Sequence, residues 1–424
     1  MFKKKLLSLT LGAACMFSFA ACAKETPETT AAPTTEATTT TEATTTEEPT
    51  TTTLEEKDSD LYDPNNPMAI NPVTGIQDMD PKNVGLRSVG IAINNYYEAL
   101  PQRGISQADA IYEYETEAGK TRFIALFADI NTIPEVGSLR SARYMSTDIC
   151  RSNNAVFIHW GGNKYVQNYI KESGVDHVDG NVCSTGVKSS KDGEVVCPDG
   201  TYFWRDRDWK ASRSLEHTGV SDGKNIAKAI EHYNIDMKGE QPMLFNFVKH
   251  PSVDIETNGI DCPEINVVMS PSLKDPVFKY DKETNLYYKE ANGKPQIDET
   301  TGEQLGITNV FVFFCDIHQK DIQQDLRDAT FTNGGIGYYL SNGKLVTFKW
   351  TQEDKDSPFK LFNDNDEELE VNIGKSYICI VDNDYTDSTT YVTGTADDVT
   401  DEAAADSTDS TADSTETTET LADE

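Results

Sequence analysis

Basic residues are scarce in this sequence: 37 Lys and Arg stand against 71 Asp and Glu in 424 residues, a formal net charge of −34 at pH 7. Histidine is also rare, with six residues. Binding to nucleic acid requires clustered Lys and Arg that neutralise phosphates. An acidic chain repels phosphates, so we expect no nucleic-acid partner.

Motifs of metal and nucleophile chemistry are missing as well. The chain has no Cys-x-x-Cys zinc pattern, no His-Glu-x-x-His metalloprotease pattern and no Gly-x-Ser-x-Gly nucleophile elbow. The acidic turn at Asp364-Asn365-Asp366 lacks the spacing and the glycine of a calcium loop. We therefore predict no metal and no cofactor, and the catalytic residues, if any, are unknown.

Long apolar runs are absent except at the start of the chain. Lys3, Lys4 and Lys5 precede an apolar run from Leu6 to Ala21, which is too short to span a bilayer comfortably and has the layout of a signal peptide. The run ends in Phe19-Ala-Ala-Cys22, which resembles the lipobox of bacterial lipoproteins. We predict a signal peptide at 1–21 and a diacylglyceryl group on Cys22. The alternative is an ordinary secretory signal cut nearby.

Both ends of the mature chain have little to bury. Residues 22–60 are a Thr-rich stretch, and residues 386–424 hold twelve acidic residues and no Lys or Arg. Segments of such composition bury too little apolar surface to offset the conformational entropy that is lost on folding. They predict a disordered, lipid-anchored linker and a disordered acidic tail, with the folded body held at the extracytoplasmic face of the cell membrane.

The body between these ends predicts an α+β fold in two domains. Residues 61–222 mix strands and helices, including a hairpin formed by 110–117 and 122–127 and a helix at 164–172 closed by Gly174. Residues 223–385 are mainly β and antiparallel, with hairpin turns at Asn292-Gly293 and Asn342-Gly343. We expect two separate cores joined near 221–225.

Six cysteines lie outside the signal peptide and the lipidation site. Cys183 and Cys197 flank a polar loop with two glycines, which makes them candidates for a disulfide. Cys315 and Cys379 lie inside apolar strands, where buried free thiols are expected.

Several blocks in one order carry a resemblance to a known family. The blocks are Pro72-Val-Thr-Gly75, Ile91-Ala-Ile-Asn-Asn95, Pro101 to Asp109, Tyr112-Glu113, Gly119-Lys-Thr-Arg122, Val136 to Arg143, Trp160-Gly-Gly162, Tyr202-Phe-Trp-Arg205, Glu216-His217, Lys349-Trp350, Ser357-Pro358 and Gly374-Lys-Ser376. They resemble the YerB-like lipoproteins of Gram-positive bacteria over essentially all of 70–385. The resemblance implies a two-domain extracytoplasmic lipoprotein of unassigned activity.

The block Gly137-Ser-Leu-Arg-Ser-Ala-Arg143 is the main candidate site. If a helix begins near Ser141, its N-terminal N–H groups favour an anion, and Arg140 and Arg143 add forked donors suited to phosphate or carboxylate. The alternative is that both arginines bridge the glutamates of the hairpin, Glu113, Glu115 or Glu117. Those three share one strand face, which we expect to be exposed.

Three further segments supply candidate ligand-binding residues. Trp160 could stack on a sugar while Gly161 and Gly162 let a ligand approach the backbone, although a tight turn with a core tryptophan is the alternative. His217 is the candidate general base, and Arg205 lies near it in sequence. We expect Arg140, Arg143 and His217 to border one concave site.

Three functions remain open from the sequence. The first is a non-catalytic binder of a cell-wall glycan or of an envelope protein. The second is an enzyme acting on an anionic envelope substrate by phosphoryl transfer or hydrolysis, since the order of strand, arginine block and Gly-Gly turn resembles the LytR-type glycopolymer phosphotransferases at the level of fold. The third is a solute-binding lipoprotein, against which the lack of two similar lobes counts.

Overall fold

The helices and strands alternate in the first half of the chain. The computed structural model describes residues 61–181, 202–271 and 276–394, with the backbone of two short strands at 189–190 and 193–194. The helices are α1 (Tyr144–Ser152), α2 (Lys164–Ser173), α3 (Trp209–Ser212) and α4 (Gly223–His232). The strands of this half are β1 (Val89–Asn94), β2 (Ala110–Glu115), β3 (Thr121–Phe127), β4 (Val136–Gly137), β5 (Val156–His159), β6 (His177–Asp179), β7 (Ser189–Ser190), β8 (Gly193–Glu194), β9 (Trp204–Arg205) and β10 (Gly219–Ser221).

The second half of the described chain is built almost entirely of strands. They are β11 (Asn246–Val248), β12 (Ile260–Asp261), β13 (Glu264–Asn266), β14 (Val277–Asp281), β15 (Leu286–Ala291), β16 (Lys294–Pro295), β17 (Gly306–Ile307), β18 (Asn309–Cys315), β19 (Ile317–Asp321), β20 (Leu326–Ala329), β21 (Gly335–Ser341), β22 (Lys344–Thr351), β23 (Lys360–Phe362), β24 (Glu370–Asn372), β25 (Ser376–Asp382) and β26 (Thr390–Val392).

Local turn chemistry places several of these elements where the sequence predicts them. Asn342 and Gly343 have φ values of 51° and 71° and connect β21 to β22 in a two-residue hairpin. Asn292 and Gly293 do the same between β15 and β16. Positive φ at both central residues is what a type I′ turn requires. The predicted hairpin of β2 and β3 and the αL cap of α2 at Gly174 are also present.

One mixed sheet of eleven strands runs through both halves. Its order is β12-β22-β21-β18-β25-β2-β3-β1-β5-β6, and β23 pairs with β22. Strand β25 lies between the two halves, parallel to β18 on one side and to β2 on the other. A second, antiparallel sheet of six strands has the order β16-β15-β14-β13-β26, with β17 beside β15.

Each face of the large sheet is covered by its own apolar core. The alternation of side chains along a strand sends Val89, Ile91 and Ile93 into one core and Ala92 into the other. One core contains residues of α1 and α2, and the opposite core contains residues of α4 and of the six-stranded sheet. The small residues of β1 allow the close packing expected of them, since a Cβ at Gly90 would lie 2.7 Å from Cys150 Sγ.

The fold class is α+β, as predicted, but the expectation of two separate cores is corrected. Both cores draw residues from both halves, because β2 and β25 pair side by side in one sheet. Of the helices in the described ranges, none has the length and apolarity needed to cross a membrane. The predicted signal peptide, linker and acidic tail lie outside the described residues, apart from residues 386–394 at the start of the tail.

Candidate functional site

The arginine block follows β4 on an extended stretch of chain. The Arg140 N–H donates to the Ala92 carbonyl at 2.9 Å, and the Arg140 carbonyl accepts from the Trp160 N–H at 2.9 Å. Helix α1 begins only after Arg143, which is its N-cap. The helix thus starts three residues later than Ser141, because this stretch bonds to β1 and to the residue after β5 before the helix begins.

The two arginines nevertheless line one small cavity, which we name the cationic pocket. It has a volume of about 210 Å³. Its walls are Asn94, Tyr96, Thr116, Glu117, Ala118, Lys120, Thr121, Arg122, Arg140 and Arg143. Four of these side chains are cationic and one is acidic, so the pocket has an excess of positive charge on a chain that is acidic as a whole.

Glu117 is the counter-charge inside the pocket. Arg143 Nη2 donates to Glu117 Oε2 at 2.8 Å, and its Nε makes a close ion pair with the same carboxylate. Burial opposes ionisation, but the hydrogen bond and charge of Arg143 hold the pKa of Glu117 below its ordinary value. One of the alternatives left open by the sequence, a bridge from Arg143 to the hairpin, is thus present at Glu117.

Arg122 is the most deeply buried cation of the pocket. Its Nη1 donates to the Ser141 carbonyl at 2.6 Å, while its Nη2 lies 3.8 Å from Glu117 Oε2. Burial, reinforced by repulsion from Arg143, lowers the pKa of Arg122 to about 9. A group whose charge is disfavoured in this way gains from any anion that enters beside it.

Arg140 pairs at the rim rather than inside the pocket. Its Nη2 donates to Glu216 Oε2 at 2.9 Å and its Nη1 to the Glu216 carbonyl at 3.2 Å. The Nε of Arg140 is buried and has no hydrogen-bond partner. Arg205 lies close by, since burial and the charge of Arg140 both lower the pKa of Arg205. The charge of Glu216, which pairs with Arg140, acts on the pKa of Arg205 in the opposite direction.

His217 lies behind the pocket wall instead of lining it. Its ring is 2% exposed, and its Nδ1 accepts from the Asn94 side-chain amide at 2.8 Å. The Asn94 Oδ1 accepts from the Tyr96 N–H, which fixes the orientation of that amide. In the neutral ring the proton is therefore on Nε2, 3.3 Å from Glu98 Oε2. Burial and the charge of Arg140 lower the pKa of His217.

The Trp160-Gly161-Gly162 segment forms a tight turn between β5 and α2. The Trp160 indole is 6% exposed, donates to Asn181 and packs under the Arg205 guanidinium, 4.0 Å from the ring centroid. Gly161 has φ of +80°, and a Cβ there would lie 2.7 Å from the Asn181 amide. Little of the indole is open to a sugar ring, so of the two alternatives left open by the sequence the tight turn with a core tryptophan is the one observed, and sugar stacking on Trp160 is not supported.

A larger groove adjoins the cationic pocket and shares Tyr96, Ala118 and Lys120 with it. The groove has a volume of about 960 Å³. Its remaining walls are Tyr97, Leu100, Pro101, Gln102, Ala291, Asn292, Lys294, Pro295, Gln296 and Ile297. Lys120 Nζ lies 4.0 Å from the centroid of the Tyr96 ring, at the point where the two cavities meet.

A buried polar cluster around Glu113 lies beneath the groove. The sequence predicted that Glu113 would be exposed. Glu113 is 2% exposed and accepts from Asn95, Thr121 and Tyr377 at 2.6–2.7 Å. The ammonium of Lys289, which is fully buried, lies 3.6 Å from the Glu113 carboxylate. Glu115 is also buried, so the prediction of an exposed glutamate face is wrong. Lys289 of the six-stranded sheet lies against Glu113, and Arg327 of β20 lies 4.0 Å from Glu115.

Lys120, Arg122 and Tyr96 are site residues that were not predicted from the sequence. Lys120 immediately precedes β3 and Arg122 is its second residue, so the two occupy alternate positions of an extended chain and point to the same side. Two basic residues at this spacing on an acidic chain are a signal that could have found them. For Tyr96 the local sequence offers none.

The thiols of the described chain are free and buried. Cys150, Cys262, Cys315 and Cys379 form no disulfide, which confirms the expectation for Cys315 and Cys379. Cys22, Cys183 and Cys197 lie outside the described residues, so their lipidation and pairing stay predictions. No group of three or more His, Cys, Asp or Glu side chains within the described ranges could hold a metal ion.

Comparison with known proteins assigns both halves to one family. Residues 73–236 match the N-terminal domain, and residues 265–378 the C-terminal domain, of a protein of unknown function, DUF3048. The chain is 27% identical over 291 residues to YerB of Bacillus subtilis, a protein provisionally named as a lipoprotein; the match spans 66% of this chain and 77% of the relative.

The fold has been seen in a solved structure. The crystal structure of Bacillus subtilis YerB aligns with a TM-score of 0.62 at 24% identity, over 76% of this chain and 98% of that one. At this identity the likeness establishes the fold and leaves the chemistry of the site to the residues themselves.

Proposed function

The chain belongs to the YerB-like family, and we propose that it is a lipid-anchored protein of the extracytoplasmic membrane face that binds an anionic polymer of the cell envelope in the cationic pocket. The anchor is Cys22, at the end of a lipobox-like segment. The similarity to a protein named as a lipoprotein supports this placement.

The observation that carries the proposal is the excess of cations in the pocket. Lys120, Arg122, Arg140 and Arg143 line it, and Glu117 is the one acidic residue among its walls, with Glu216 paired to Arg140 at the rim. Crowded guanidinium groups repel each other, and an entering phosphate or carboxylate relieves that repulsion. Arginine forks also match such groups with paired hydrogen bonds.

Binding without catalysis fits the state of His217, the candidate general base. A general base needs an unprotonated nitrogen within hydrogen-bond reach of its substrate. The unprotonated Nδ1 of His217 already accepts from Asn94, and the ring stands behind the pocket wall. In the proposed function the residue supports Asn94.

The test measures binding of the detergent-purified, full-length protein to poly(glycerol phosphate), by titration calorimetry at several salt concentrations. Lys120→Gln and Arg140→Gln remove the two most exposed cations of the pocket: Lys120 is exposed, and the Arg140 side chain is 20% exposed against 7% for Arg122. We expect each to weaken binding by about tenfold, which corresponds to one lost charge-assisted hydrogen bond. Added salt should weaken binding further, because the contacts are ionic.

The matched control is Lys349→Gln. Lys349 is a surface lysine of the second half that pairs with Asp366 and lies away from the pocket. Its substitution therefore removes one positive charge, as Lys120→Gln does, but at a distant point of the surface. If the control weakens binding as much as Lys120→Gln does, the attraction is a property of the whole surface. If no variant changes the affinity, the pocket is not the site.

A further inference from the structure

We propose that the groove beside the cationic pocket is a saccharide subsite, so that the ligand is an anionic saccharide with its acidic group in the pocket and its sugar rings in the groove. This inference rests on the proposed function of the pocket. It adds the substrate class: a sugar or sugar chain carrying phosphate or carboxylate.

The two cavities are walled by the same stretch of chain. Residues 94–102 connect β1 toward β2: Asn94 and Tyr96 line the pocket, and Tyr96, Tyr97 and Gln102 line the groove. The Lys120 ammonium lies over the Tyr96 ring at their junction. A ligand held by its charge in the pocket therefore continues directly into the groove.

The groove has the mixed lining that sugars require. Tyr97 is 56% exposed, and its ring centroid lies 4.3 Å from that of Tyr96. The exposed ring of Tyr97 offers an apolar face for the C–H side of a sugar. The amide of Asn292 and the ammonium of Lys294 line the opposite part of the groove and suit hydroxyl groups. The volume of about 960 Å³ lies within the range of small-ligand clefts.

The floor of the groove is fixed before any ligand arrives. Gln296 Nε2 donates to Gln102 Oε1 and to Asn95 Oδ1, each at 3.1 Å. Gln296 Oε1 accepts from the buried Lys289 ammonium at 2.6 Å. Gln102 in turn donates to the Asn94 carbonyl at 3.0 Å, in the wall of the cationic pocket. A floor held by such bonds lowers the entropy lost on binding and keeps the two subsites in register.

Other occupants fit this lining less well. An extended peptide would add to the sheet edge at β16, but Pro295 occupies one of its two positions and has no N–H to donate. An acyl chain would leave Lys120, Lys294 and Asn292 facing an apolar partner, which is unfavourable. A sugar satisfies both the rings and the polar groups.

The experiment compares four probes on the full-length protein in detergent: maltotriose carrying one phosphomonoester, a trigalacturonate, maltotriose and inorganic phosphate. The phosphorylated or uronate trisaccharide should bind at least tenfold more tightly than either maltotriose or phosphate. The better of the two acidic probes identifies the anionic group. Tyr97→Ala should weaken saccharide binding about three- to tenfold and leave phosphate binding unchanged, whereas Tyr97→Phe, which keeps the ring, should bind normally.

Failure of this inference is distinguishable from failure of the proposed function. Arg140→Gln should weaken phosphate and acidic saccharides alike, and if it weakens neither, the anion pocket itself is refuted. If Arg140→Gln weakens phosphate binding but neither acidic trisaccharide binds better than phosphate, the pocket stands and the saccharide subsite is refuted. A Tyr97→Ala variant that binds the acidic trisaccharides normally overturns the subsite as well.

Discussion

Neutralising Glu113 should strongly destabilise the fold. Glu113 is 2% exposed and Lys289 is fully buried, with 3.6 Å between carboxylate and ammonium. The substitution Glu113→Gln leaves the Lys289 ammonium without a counter-charge in the core, next to the Gln296 amide alone. Breaking a buried pair in this way costs about 3–5 kcal/mol of unfolding free energy.

The double variant Glu113→Gln with Lys289→Met should lose less unfolding free energy than the sum of the two single variants. Lys289→Met alone leaves the Glu113 carboxylate supported only by the neutral donors of Asn95, Thr121 and Tyr377. In the double variant no ion remains buried, and an amide at position 113 can still accept a hydrogen bond. We expect the double variant to be more stable than the sum of the single changes by about 2 kcal/mol.

Urea denaturation followed by circular dichroism measures these free energies. The control is Lys279→Met: Lys279 on β14 is half-exposed and pairs with Glu290, the neighbour of Lys289, at 3.2 Å. An exposed pair of this kind contributes less than about 1 kcal/mol. A loss at Glu113→Gln no greater than that of the control, or strict additivity in the double variant, would refute the reasoning.

Three other outcomes can be measured directly. A Cys22→Ala protein should appear in the culture medium instead of the membrane pellet, as immunoblots of the two fractions will show. Gly90→Ala should cost about 1–3 kcal/mol of stability, because its Cβ would lie 2.7 Å from Cys150 Sγ, and Cys150→Ala should restore part of the loss in thermal melts. Burial, only partly opposed by Arg327, raises the pKa of Glu115 to about 7, so the folded state holds this proton more tightly than the unfolded chain does. Stability should therefore fall as the pH rises from about 4.5 to 7 by an amount on the order of 2 kcal/mol, and Glu115→Gln should flatten that part of the pH profile.

Local features of the fold were readable from the sequence. The turns at Asn292-Gly293 and Asn342-Gly343 were predicted correctly because the backbone angles they need are set by two adjacent residues. The β2–β3 hairpin and the start and stop of α2 were predicted for the same reason: each depends on neighbours in the chain.

The pairing between strands that are distant along the chain could not be predicted from the sequence. Strand β25 lies beside β2 although more than 250 residues separate them in sequence. Nothing in either strand specifies its partner, since the mainly apolar β25 and the alternating pattern of β2 suit many positions in a sheet. The separate cores were predicted wrongly for this reason, and so was the exposure of Glu113 and Glu115. From the sequence alone, a glutamate in a strand predicts a solvent-exposed face, because the elements that pack on that face come from distant parts of the chain.

The candidate site was only partly predictable for a related reason. Arg140 and Arg143 stand out because basic residues are rare here, and both line the cationic pocket. Their spacing suggested a helix, but the hydrogen bonds of Arg140 to β1 and to the end of β5 keep the chain extended. His217 was brought near them by tertiary structure, yet the Asn94 amide occupies its accepting nitrogen.

The two halves of the chain contribute differently to the two cavities, as the lining residues show. The cationic pocket is built wholly from residues 94–143, within the N-terminal family segment. The groove is built from residues 96–120 on one side and 291–297 on the other, so it exists only where the two halves meet. The buried Lys289 and Gln296 join those sides through Glu113 and Gln102. An isolated anionic group would therefore contact only the N-terminal half, whereas a ligand that also fills the groove would contact both halves. The large sheet that both halves share fixes the distance between the two subsites.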